Sequence, residues 1–248
     1  MIAEDVLQMI LTGEVKPGEQ LPSQTTLTRR YQVTRPTVRQ AYARLINSGH
    51  VVARPREGYY VRADRPMTWH MTRRNSREVT TERSVDPWVA LAQDAGYRAR
   101  QTIQVRTVPA HTMVMGERIG DILGLPATGL AVVRDRVRFL DEVPTELAAS
   151  YYPYDLVRNM PAMLNPADIQ PGIYPMFAAA GHDKTRFVDA VRPRIPSPAE
   201  ANLLELEPGS VVLEMLHRSF FTPDDECLLV RHSVYAASAT TFVWEVTA

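Results

Sequence analysis

Two stretches decide the fold of the first part of this chain: PGEQLPS at residues 17–23 and TRPTVRQAYARL at residues 34–45. The prolines and glycine of the first stretch favour a turn, and Ser23 at its end can cap the amides of a helix that starts at the next residue. Thr34 opens the second stretch in the same way, and Pro36 lies in a first helical turn, where its missing N–H removes no helical bond. Two short helices joined by a tight turn are therefore predicted, an arrangement that presents side chains to the major groove of DNA.

The second predicted helix has two distinct sides. Its apolar residues recur at helical spacing and form one stripe: Val38, Ala41, Tyr42, Leu45 and Ile46. Arg35 and Arg39 are four residues apart and share another side, which faces solvent. A solvated charged surface is the ordinary fate of such residues. Both, however, occupy the N-terminal end of the helix, which enters the groove in helix-turn-helix proteins, and arginine is the commonest bidentate reader of guanine.

A hairpin is predicted after this helix. Two extended runs, residues 51–54 and 59–62, are joined by a turn that contains Arg56 and Gly58. The formal net charge of the whole chain is zero, which by itself argues against a nucleic-acid binder. The charge is unevenly distributed, however, because residues 24–62 hold eight arginines and a single acidic residue. The basic charge therefore lies with the helix-turn-helix and its hairpin.

Composition excludes several other classes of protein. The 248 residues leave room for a small and a larger domain. Cys227 is the only cysteine, which excludes an intrachain disulfide and a cysteine-based zinc site, and the histidines show no metal-binding spacing, so we expect no metal and no cofactor. No apolar run approaches the roughly 20 residues that span a bilayer, and the acidic Glu4 and Asp5 do not suit a signal peptide. We therefore expect a cytoplasmic protein with no membrane partner.

The sequence PGEQLPS, followed by TRPTVRQAYARL and a Gly-aromatic-Val hairpin, resembles the winged helix-turn-helix of GntR-type bacterial transcriptional regulators. Residues 1–63 are accordingly expected to bind a double-stranded DNA operator. The resemblance implies DNA contacts from Ser23, Thr25, Thr34, Arg35, Thr37 and Arg39, and from Arg56 and Gly58 in the wing. This chain departs from the family at Gln24-Thr25, where Glu-Arg is common, and at Arg56, where glycine is usual. The operator sequence can therefore not be copied from relatives.

The segment that follows the hairpin, residues 64–84, is expected to be a linker. It is polar, interrupted by proline and without a sustained apolar period. Trp69 and Met71 alternate with polar residues there, which indicates one strand that docks onto the next domain.

Residues 85–248 are expected to form the larger domain, and they contain an internal echo. Two stretches share the order Leu-x-Leu, glycine, strand and arginine: Leu123, Leu125, Gly129 and Arg138 in the first, Leu204, Leu206, Gly209 and Arg218 in the second. In both, the arginine lies nine residues after the glycine. Each copy is predicted to be a helix, a loop and a hairpin, so two hairpins side by side give an antiparallel sheet with helices on one face. The fold class is therefore α+β, with a ligand cleft where the halves meet.

This arrangement resembles the UTRA effector-binding domain found in the HutC branch of GntR regulators, whose fold is similar to chorismate lyase. The resemblance and the echo together assign effector contacts to Arg136, Arg138, Tyr152, Tyr174, Arg218 and Tyr235. Internal ion pairs with acids such as Asp135, Asp141 or Glu214 are the other interpretation of the three arginines, and core packing is the ordinary role of the tyrosines. A helix that starts at Gly172-Ile173-Tyr174 matches the family's anion-holding Ser-x-Tyr imperfectly.

Two further positions bear on the class of effector. Family members that bind sugar phosphates have glutamates where this chain has Ala148 and Leu229. Alanine and leucine cannot accept hydroxyl or amine hydrogens. We therefore expect a less polar small-molecule effector, an anionic compound with an apolar body.

The leading functional hypothesis is a transcriptional regulator that acts as a repressor, binds a palindromic operator as a homodimer and is released by its effector. A dimeric repressor that needs no ligand is one alternative. A chorismate-lyase-like enzyme is another, but the neighbouring acids make Cys227 a poor nucleophile, and no recognisable nucleophile and base set accompanies it.

Overall fold

The structure is a computed structural model that describes residues 2–47, 50–54, 57–61, 66–74, 86–170 and 172–246. It divides into two compact units, Met1–Arg65 and Pro66–Ala248. Each unit has an apolar core of its own.

The first unit has the predicted pair of helices with the predicted hairpin after it. Its elements are α1 (Ile2–Leu11), α2 (Gln24–Tyr31), α3 (Arg35–Asn47), β1 (Val51–Arg54) and β2 (Gly58–Val61). The Ser23 side chain caps α2 as expected, since its Oγ accepts a hydrogen bond from the Thr26 backbone N–H at 3.1 Å. Gln32 adopts the left-handed conformation directly after α2, which ends that helix and allows the tight turn.

The hairpin is held to the rest of this unit by aromatic contacts. The rings of Tyr42 on α3 and Tyr59 on β2 stack with their centroids 3.8 Å apart. The Tyr42 hydroxyl donates a hydrogen bond to the Pro22 carbonyl, which connects α3 to the segment before α2. The positions of α2, α3 and the hairpin within this unit are therefore defined by buried side chains.

The second unit is built on one antiparallel sheet of six strands in the order β4-β7-β8-β11-β10-β9. The strands are β4 (Ala99–Pro109), β7 (Leu130–Leu140), β8 (Val143–Pro153), β9 (Lys184–Arg194), β10 (Val212–Phe221) and β11 (Glu226–Ala236). Two hairpins, β7-β8 and β10-β11, lie side by side as the internal echo predicted. They meet at β8 and β11, and β5 (Met113–Val114) and β6 (Glu117–Arg118) form a separate small ribbon.

Helices cover both faces of this sheet, so the expectation that they cover one face is wrong. The helices are α5 (Pro87–Asp94), α6 (Ile119–Ile122), α7 (Tyr154–Val157), α8 (Pro161–Leu164), α9 (Ile173–Ala179) and α10 (Pro198–Leu203). The arginine face, which we define by Arg134, Arg136 and Arg138, packs against α5, α7, α8 and α9. The opposite face packs against α6 and the end of α10.

Part of the segment expected to be a linker belongs to the second unit. Strand β3 (Met67–His70) pairs in parallel with β12 (Thr240–Val243), and α4 (Met71–Arg74) follows it directly. Trp69 is buried against Trp88 with ring centroids 5.9 Å apart, so the strand indicated by Trp69 and Met71 docks as expected. The rest of the expected linker, residues 64–65 and 75–84, lies outside the described residues.

Candidate nucleic-acid interface and ligand cavity

The N-terminal half of α3 presents four of the predicted DNA contacts to solvent. Thr34, Arg35, Thr37 and Arg39 are all exposed. Among the described residues, neither arginine makes an ion pair, so both guanidinium groups are available to an outside partner. The hydroxyls of Thr34 and Thr37 lie 2.9 Å apart and hydrogen-bond to each other at the start of the helix. This surface has the charge and the position required to contact phosphates and base edges.

The start of α2 contributes less than its sequence position suggests. Ser23 is exposed, but its Oγ is occupied by the Thr26 backbone N–H and lies 2.8 Å from the Thr26 hydroxyl. Gln24 donates from Nε2 to the Tyr59 hydroxyl at 2.7 Å, which ties α2 to the hairpin. Thr25 is exposed and is the residue that stands where the family commonly has arginine. Its short neutral side chain cannot replace the phosphate contact of an arginine.

The hairpin turn is built around Gly58. This residue has φ +116°, which other residues rarely adopt, and a Cβ there would lie 3.2 Å from the Gln20 amide nitrogen. Gln20 Nε2 donates to the Glu57 carbonyl at 2.7 Å and supports the turn. Gly58 therefore shapes the wing through its backbone and offers no side chain to DNA. The predicted contact at Arg56 lies outside the described residues.

A small cavity of about 50 Å³ lies on the arginine face of the six-stranded sheet. Four of the six predicted effector contacts line it: Arg136, Arg138, Tyr152 and Tyr174. Its other polar lining residues include Arg74, Asp86, Arg134, Ser150, Asp168 and Arg231. Five arginines and two aspartates in one small volume make this a site for negatively charged groups.

Arg138 is neutralised by two acids inside the protein. Its Nη1 donates to Glu146 at 3.1 Å and its Nη2 to Asp86 at 3.2 Å. Burial raises the pKa of Glu146, but the charges of Arg138 and Arg74 outweigh it and lower that pKa to about 2. Burial likewise raises the pKa of Asp86, but nearby positive charges, that of Arg138 first among them, outweigh it and lower that pKa to about 2. Arg138 therefore makes internal ion pairs, with acids that the sequence did not indicate, and it also lines the cavity.

Arg136 makes no ion pair within the described residues, although its charge helps to lower the pKa of Asp86. Its Nη1 donates to the Arg134 carbonyl and to the Ser150 hydroxyl, both at 3.2 Å. Its Nε is buried and has no acceptor among the described residues. A buried guanidinium with an unused N–H donor is the arrangement expected of a group that binds an anion.

Arg218 does not reach this cavity, which corrects the assignment made from the echo. It lies on the opposite face, where its guanidinium bonds Glu117. The glycines of the two copies are not at equivalent positions. The segment from Leu-x-Leu to the glycine is one residue shorter in the second copy than in the first. Because side chains alternate between the faces of a strand, a shift of one residue moves Arg218 to the other side.

Tyr235 is also displaced from the cavity wall. It is fully buried beside Trp69 and Trp88, and its hydroxyl accepts a hydrogen bond from Arg74 Nη1 at 3.0 Å. Arg74, which lines the cavity, connects Tyr235 to it.

The two tyrosines that line the cavity differ in their surroundings. Tyr152 is buried and packs edge-on against Phe177 on α9. Tyr174 lies at the start of α9, as the predicted helix start requires, and Lys184 Nζ is 4.7 Å from its ring centroid. Burial raises the pKa of Tyr174, but the charges of Lys184 and Arg231 outweigh burial and lower the pKa.

Three arginines of the cavity were missed in the sequence: Arg74, Arg134 and Arg231. Arg134 donates to four backbone carbonyls between Ala162 and Ala167 and holds the segment around α8 in place. The Nε and Nη2 atoms of Arg231 are buried without an acceptor among the described residues. The alternation of side chains along β11 could have indicated Arg231. It lies an even number of residues from Leu229, so the two side chains are on the same face of the sheet.

A larger hollow of about 400 Å³ on the opposite face has a different character. Three of its charged groups are compensated within the protein: Arg106 bonds Asp135 at 2.6 Å, Arg194 bonds Glu200 at 2.7 Å, and His232 bonds Glu214 at 2.9 Å. Arg136 lines both this hollow and the cavity on the arginine face. The uncompensated positive charge of the described residues around the two cavities is therefore on the arginine face.

The described residues also limit other kinds of site. No three histidine, cysteine or acidic side chains among them are grouped so that they could hold a metal ion. None of the helices in the described ranges combines the length and apolar character needed to cross a bilayer.

A helix-turn-helix with an exposed basic helix, joined in one chain to a sheet domain with an anion cavity, defines a DNA-binding regulator with a ligand-binding domain. The chain belongs to the GntR family of bacterial regulatory proteins with a UTRA domain: the gntR-family profile matches residues 1–61 and the UTRA profile residues 98–241. Its relatives are transcriptional regulators and not enzymes, so the chorismate-lyase-like alternative is set aside.

Curated relatives match nearly the full chain. An uncharacterized HTH-type transcriptional regulator of Streptomyces coelicolor is 28% identical over 246 residues, 98% of this chain and 89% of its own length. The HTH-type transcriptional repressor NagR of Bacillus subtilis is 24% identical over 243 residues, 98% of this chain and 91% of its own. The crystal structure of PhnF from Mycobacterium smegmatis matches with a TM-score of 0.61 at 20% identity and covers 100% of both chains. This last likeness supports the fold.

Proposed function

We propose that this protein is a repressor that binds a palindromic operator as a homodimer and leaves it when a small anionic effector occupies the cavity on the arginine face. The proposal assigns operator binding to α3 and the hairpin, and effector binding to the six-stranded sheet. Regulators of this family bind operators and small-molecule effectors with these two domains. Two relatives, NagR and PhnF, are named as transcriptional repressors.

The observation that carries the effector proposal is the pair of cavity arginines, Arg136 and Arg231, whose buried guanidinium atoms lack an acceptor among the described residues. Burying a charge without a partner is costly, and a bound anion removes that cost. Apolar side chains complete the lining, among them Ile169, Ile173 and Leu229. They support an effector with an acid group and an apolar body.

The first experiment measures DNA binding by fluorescence anisotropy with a duplex from upstream of the protein's own gene and with a scrambled duplex, at low and moderate salt. Arg35→Ala and Arg39→Ala should weaken native-duplex binding by about 1–3 kcal/mol each if these side chains read bases. Arg98→Ala is the matched control, because Arg98 is exposed and pairs with Asp141 in the other unit at 3.8 Å. Equal, salt-sensitive binding of both duplexes would contradict operator recognition on this DNA.

The second experiment searches for the effector. Carboxylic and phosphoric acids are screened for a rise in melting temperature, since a ligand that binds only the folded state stabilises it by mass action. Each hit is then added to the protein–operator complex. Release of the operator supports the proposal. A screen without hits, together with tight operator binding, favours the dimeric repressor that needs no ligand.

A further inference from the structure

We infer that Gln40, at the centre of the solvent-facing side of α3, reads an adenine in the major groove and thereby determines part of the operator sequence. This inference rests on the proposed function, because it assumes that α3 enters the groove of an operator. It goes further by adding a base-reading residue to the predicted arginines and by naming the base.

Gln40 lies opposite the apolar stripe that holds α3 in the first unit. Successive side chains of an α-helix are separated by about 100° around its axis. Val38, Tyr42 and Leu45 are buried, and together they define the inward direction of the helix. Gln40 is exposed and lies about 170° from the mean of these three directions. Its side chain therefore projects straight away from the core.

The predicted arginines of α3 lie beside this direction and not along it. Arg35 is about 50° and Arg39 about 90° from the mean inward direction. Their long side chains can still reach phosphates or base edges from there. The major groove admits an α-helix and exposes the base edges on its floor, so the residue that points straight out of the helix is aimed at them. That residue is Gln40.

The neighbours of Gln40 on this side of α3 allow a close approach to the bases. Pro36 precedes Gln40 by four residues and Ala43 follows it by three, so all three side chains share one side of the helix. Both neighbours are exposed, and neither has a long or charged side chain. An alanine can also contact the methyl group that thymine presents in the major groove.

The carboxamide of Gln40 selects adenine among the four bases. Its side chain makes no hydrogen bond within the residues that the structure describes, so its oxygen and its NH2 group are both available. The oxygen can accept from the adenine N6 amino group while the NH2 group donates to N7. Guanine offers two acceptors in the major groove and cytosine a donor, so neither matches this pair. An A·T pair also supplies the thymine methyl that Ala43 can contact.

The spacing along α3 places this adenine close to the arginine contacts. Each residue of a helix rises about 1.5 Å, so Gln40 lies about 7.5 Å along the axis from Arg35 and about 1.5 Å from Arg39. Base pairs of DNA are about 3.4 Å apart. We therefore expect the adenine within about two base pairs of a guanine that either arginine reads.

Selection from a pool of random duplexes supplies the operator for the test. The full-length protein, Gln40→Ala and Gln8→Ala are carried through the same selection. Gln8 is an exposed glutamine on α1, and alanine is the best helix former, so Gln8→Ala is the matched control and neither change should unfold its helix. The unchanged protein and the control should select the same sequence, with an adenine whose preference disappears in Gln40→Ala. The same sequence from Gln40→Ala overturns the inference.

A modified base identifies the atom that is read. In the selected duplex, 7-deazaadenine replaces that adenine and removes the N7 acceptor. Fluorescence anisotropy should show binding that is weaker by at least about fivefold for the unchanged protein and by less than about twofold for Gln40→Ala. An equal loss in both proteins overturns the inference.

A change of base preference separates reading from a structural role. Gln40→Glu keeps the length of the side chain but replaces the NH2 donor with an acceptor. Glutamate accepts a hydrogen bond from the N4 amino group of cytosine, so the preferred base at this position should change from adenine to cytosine. A merely structural role would change the affinity for all duplexes alike. A retained preference for adenine in Gln40→Glu overturns the inference.

The outcome for the inference is separable from that for the proposed function. If Gln40→Ala loses the adenine preference but no screened acid releases the operator, the inference stands and effector release is contradicted. If the unchanged protein and Gln40→Ala select one and the same sequence, operator recognition stands and the inference is overturned. A selection that converges on no sequence with the unchanged protein overturns both.

Discussion

Two nearby arginines on β7 have different roles, and the acids around each of them decide which role it has. Arg138 bonds both Glu146 and Asp86, whereas Arg136 makes no ion pair with either and donates to the Arg134 carbonyl and the Ser150 hydroxyl. Glu146 also accepts a hydrogen bond from Ser233 at 2.9 Å and lies 3.7 Å from Arg74, so it joins three strands and α4. Removing such a carboxylate takes away one of the two acids that Arg138 bonds and the acid that pairs with Arg74.

Glu146→Gln should therefore destabilise the second unit by about 3–5 kcal/mol. Urea unfolding followed by tryptophan fluorescence reports this unit alone, because Trp69, Trp88 and Trp244 all belong to it. Glu142→Gln is the control on the same hairpin, where the carboxylate is 62% exposed and pairs with Arg100 at 3.1 Å. It should cost less than about 1 kcal/mol. Equal effects of the two substitutions would contradict the structural role of Glu146.

His217 gives the second unit a pH dependence that begins near neutrality. Burial and the charge of Arg231 lower its pKa to about 3, although Asp189, at 2.6 Å from Nδ1, acts in the opposite direction. The unfolded chain protonates this histidine near pH 6.5 and the folded protein does not, so stability is present above pH 6.5 and is lost as the pH falls. Between pH 6.5 and 5 the free energy of unfolding should fall by up to about 1.4 kcal/mol per pH unit.

Urea titrations at several pH values, read by tryptophan fluorescence, check this slope. His217→Gln should flatten it between pH 6.5 and 5, where Glu146 and Asp86 stay ionised in the folded protein. His111→Gln removes an exposed histidine from the same unit and serves as the control. A slope that survives in His217→Gln would show that another group is responsible.

At the scale of secondary-structure elements, local signals were sufficient for α2 and α3. Ser23, Pro36 and the apolar stripe of α3 act within a few residues, so their consequences are readable in the sequence. Strand faces in the second unit depend on register over many residues, and the glycine-based alignment of the echo put Arg218 one residue out of phase. Arg74 gave no signal at all, because its approach to the cavity depends on the pairing of β3 with β12, elements far apart in the chain.

The cap of α2 can be tested by itself. Ser23→Ala removes the acceptor for the Thr26 backbone N–H and should cost the first unit about 1 kcal/mol of stability. The far-ultraviolet circular dichroism signal reports the unfolding of both units, whereas tryptophan fluorescence reports the unfolding of the second unit only. Ser23→Ala should shift the dichroism transition of the first unit and leave the fluorescence transition unchanged. Ser23→Asn keeps a capping oxygen and should restore stability, and failure of this rescue would contradict the capping role.

At the scale of the whole molecule, operator and effector are assigned to different units of one chain. An effector can change operator affinity only by binding the DNA-competent and DNA-incompetent states with different affinity. Coupling of this kind is reciprocal: if the effector weakens operator binding by a given factor, the operator must weaken effector binding by the same factor. Both quantities are measurable with the full-length protein and an acid identified by the thermal screen.

We expect the two factors to agree, typically within the range of about 5 to 150 that 1–3 kcal/mol of coupling represents. Anisotropy gives the operator affinity with and without saturating acid, and calorimetry gives the acid affinity with and without saturating operator. Arg35→Ala supplies the control for DNA occupancy. Duplex is added to this variant at a concentration that saturates only the unchanged protein. The acid affinity of the variant should then be nearly unaltered. A loss of acid affinity at the cavity that does not match the measured release would mean that the acid acts through a second site, because linkage requires the site that causes release to lose affinity by the same factor.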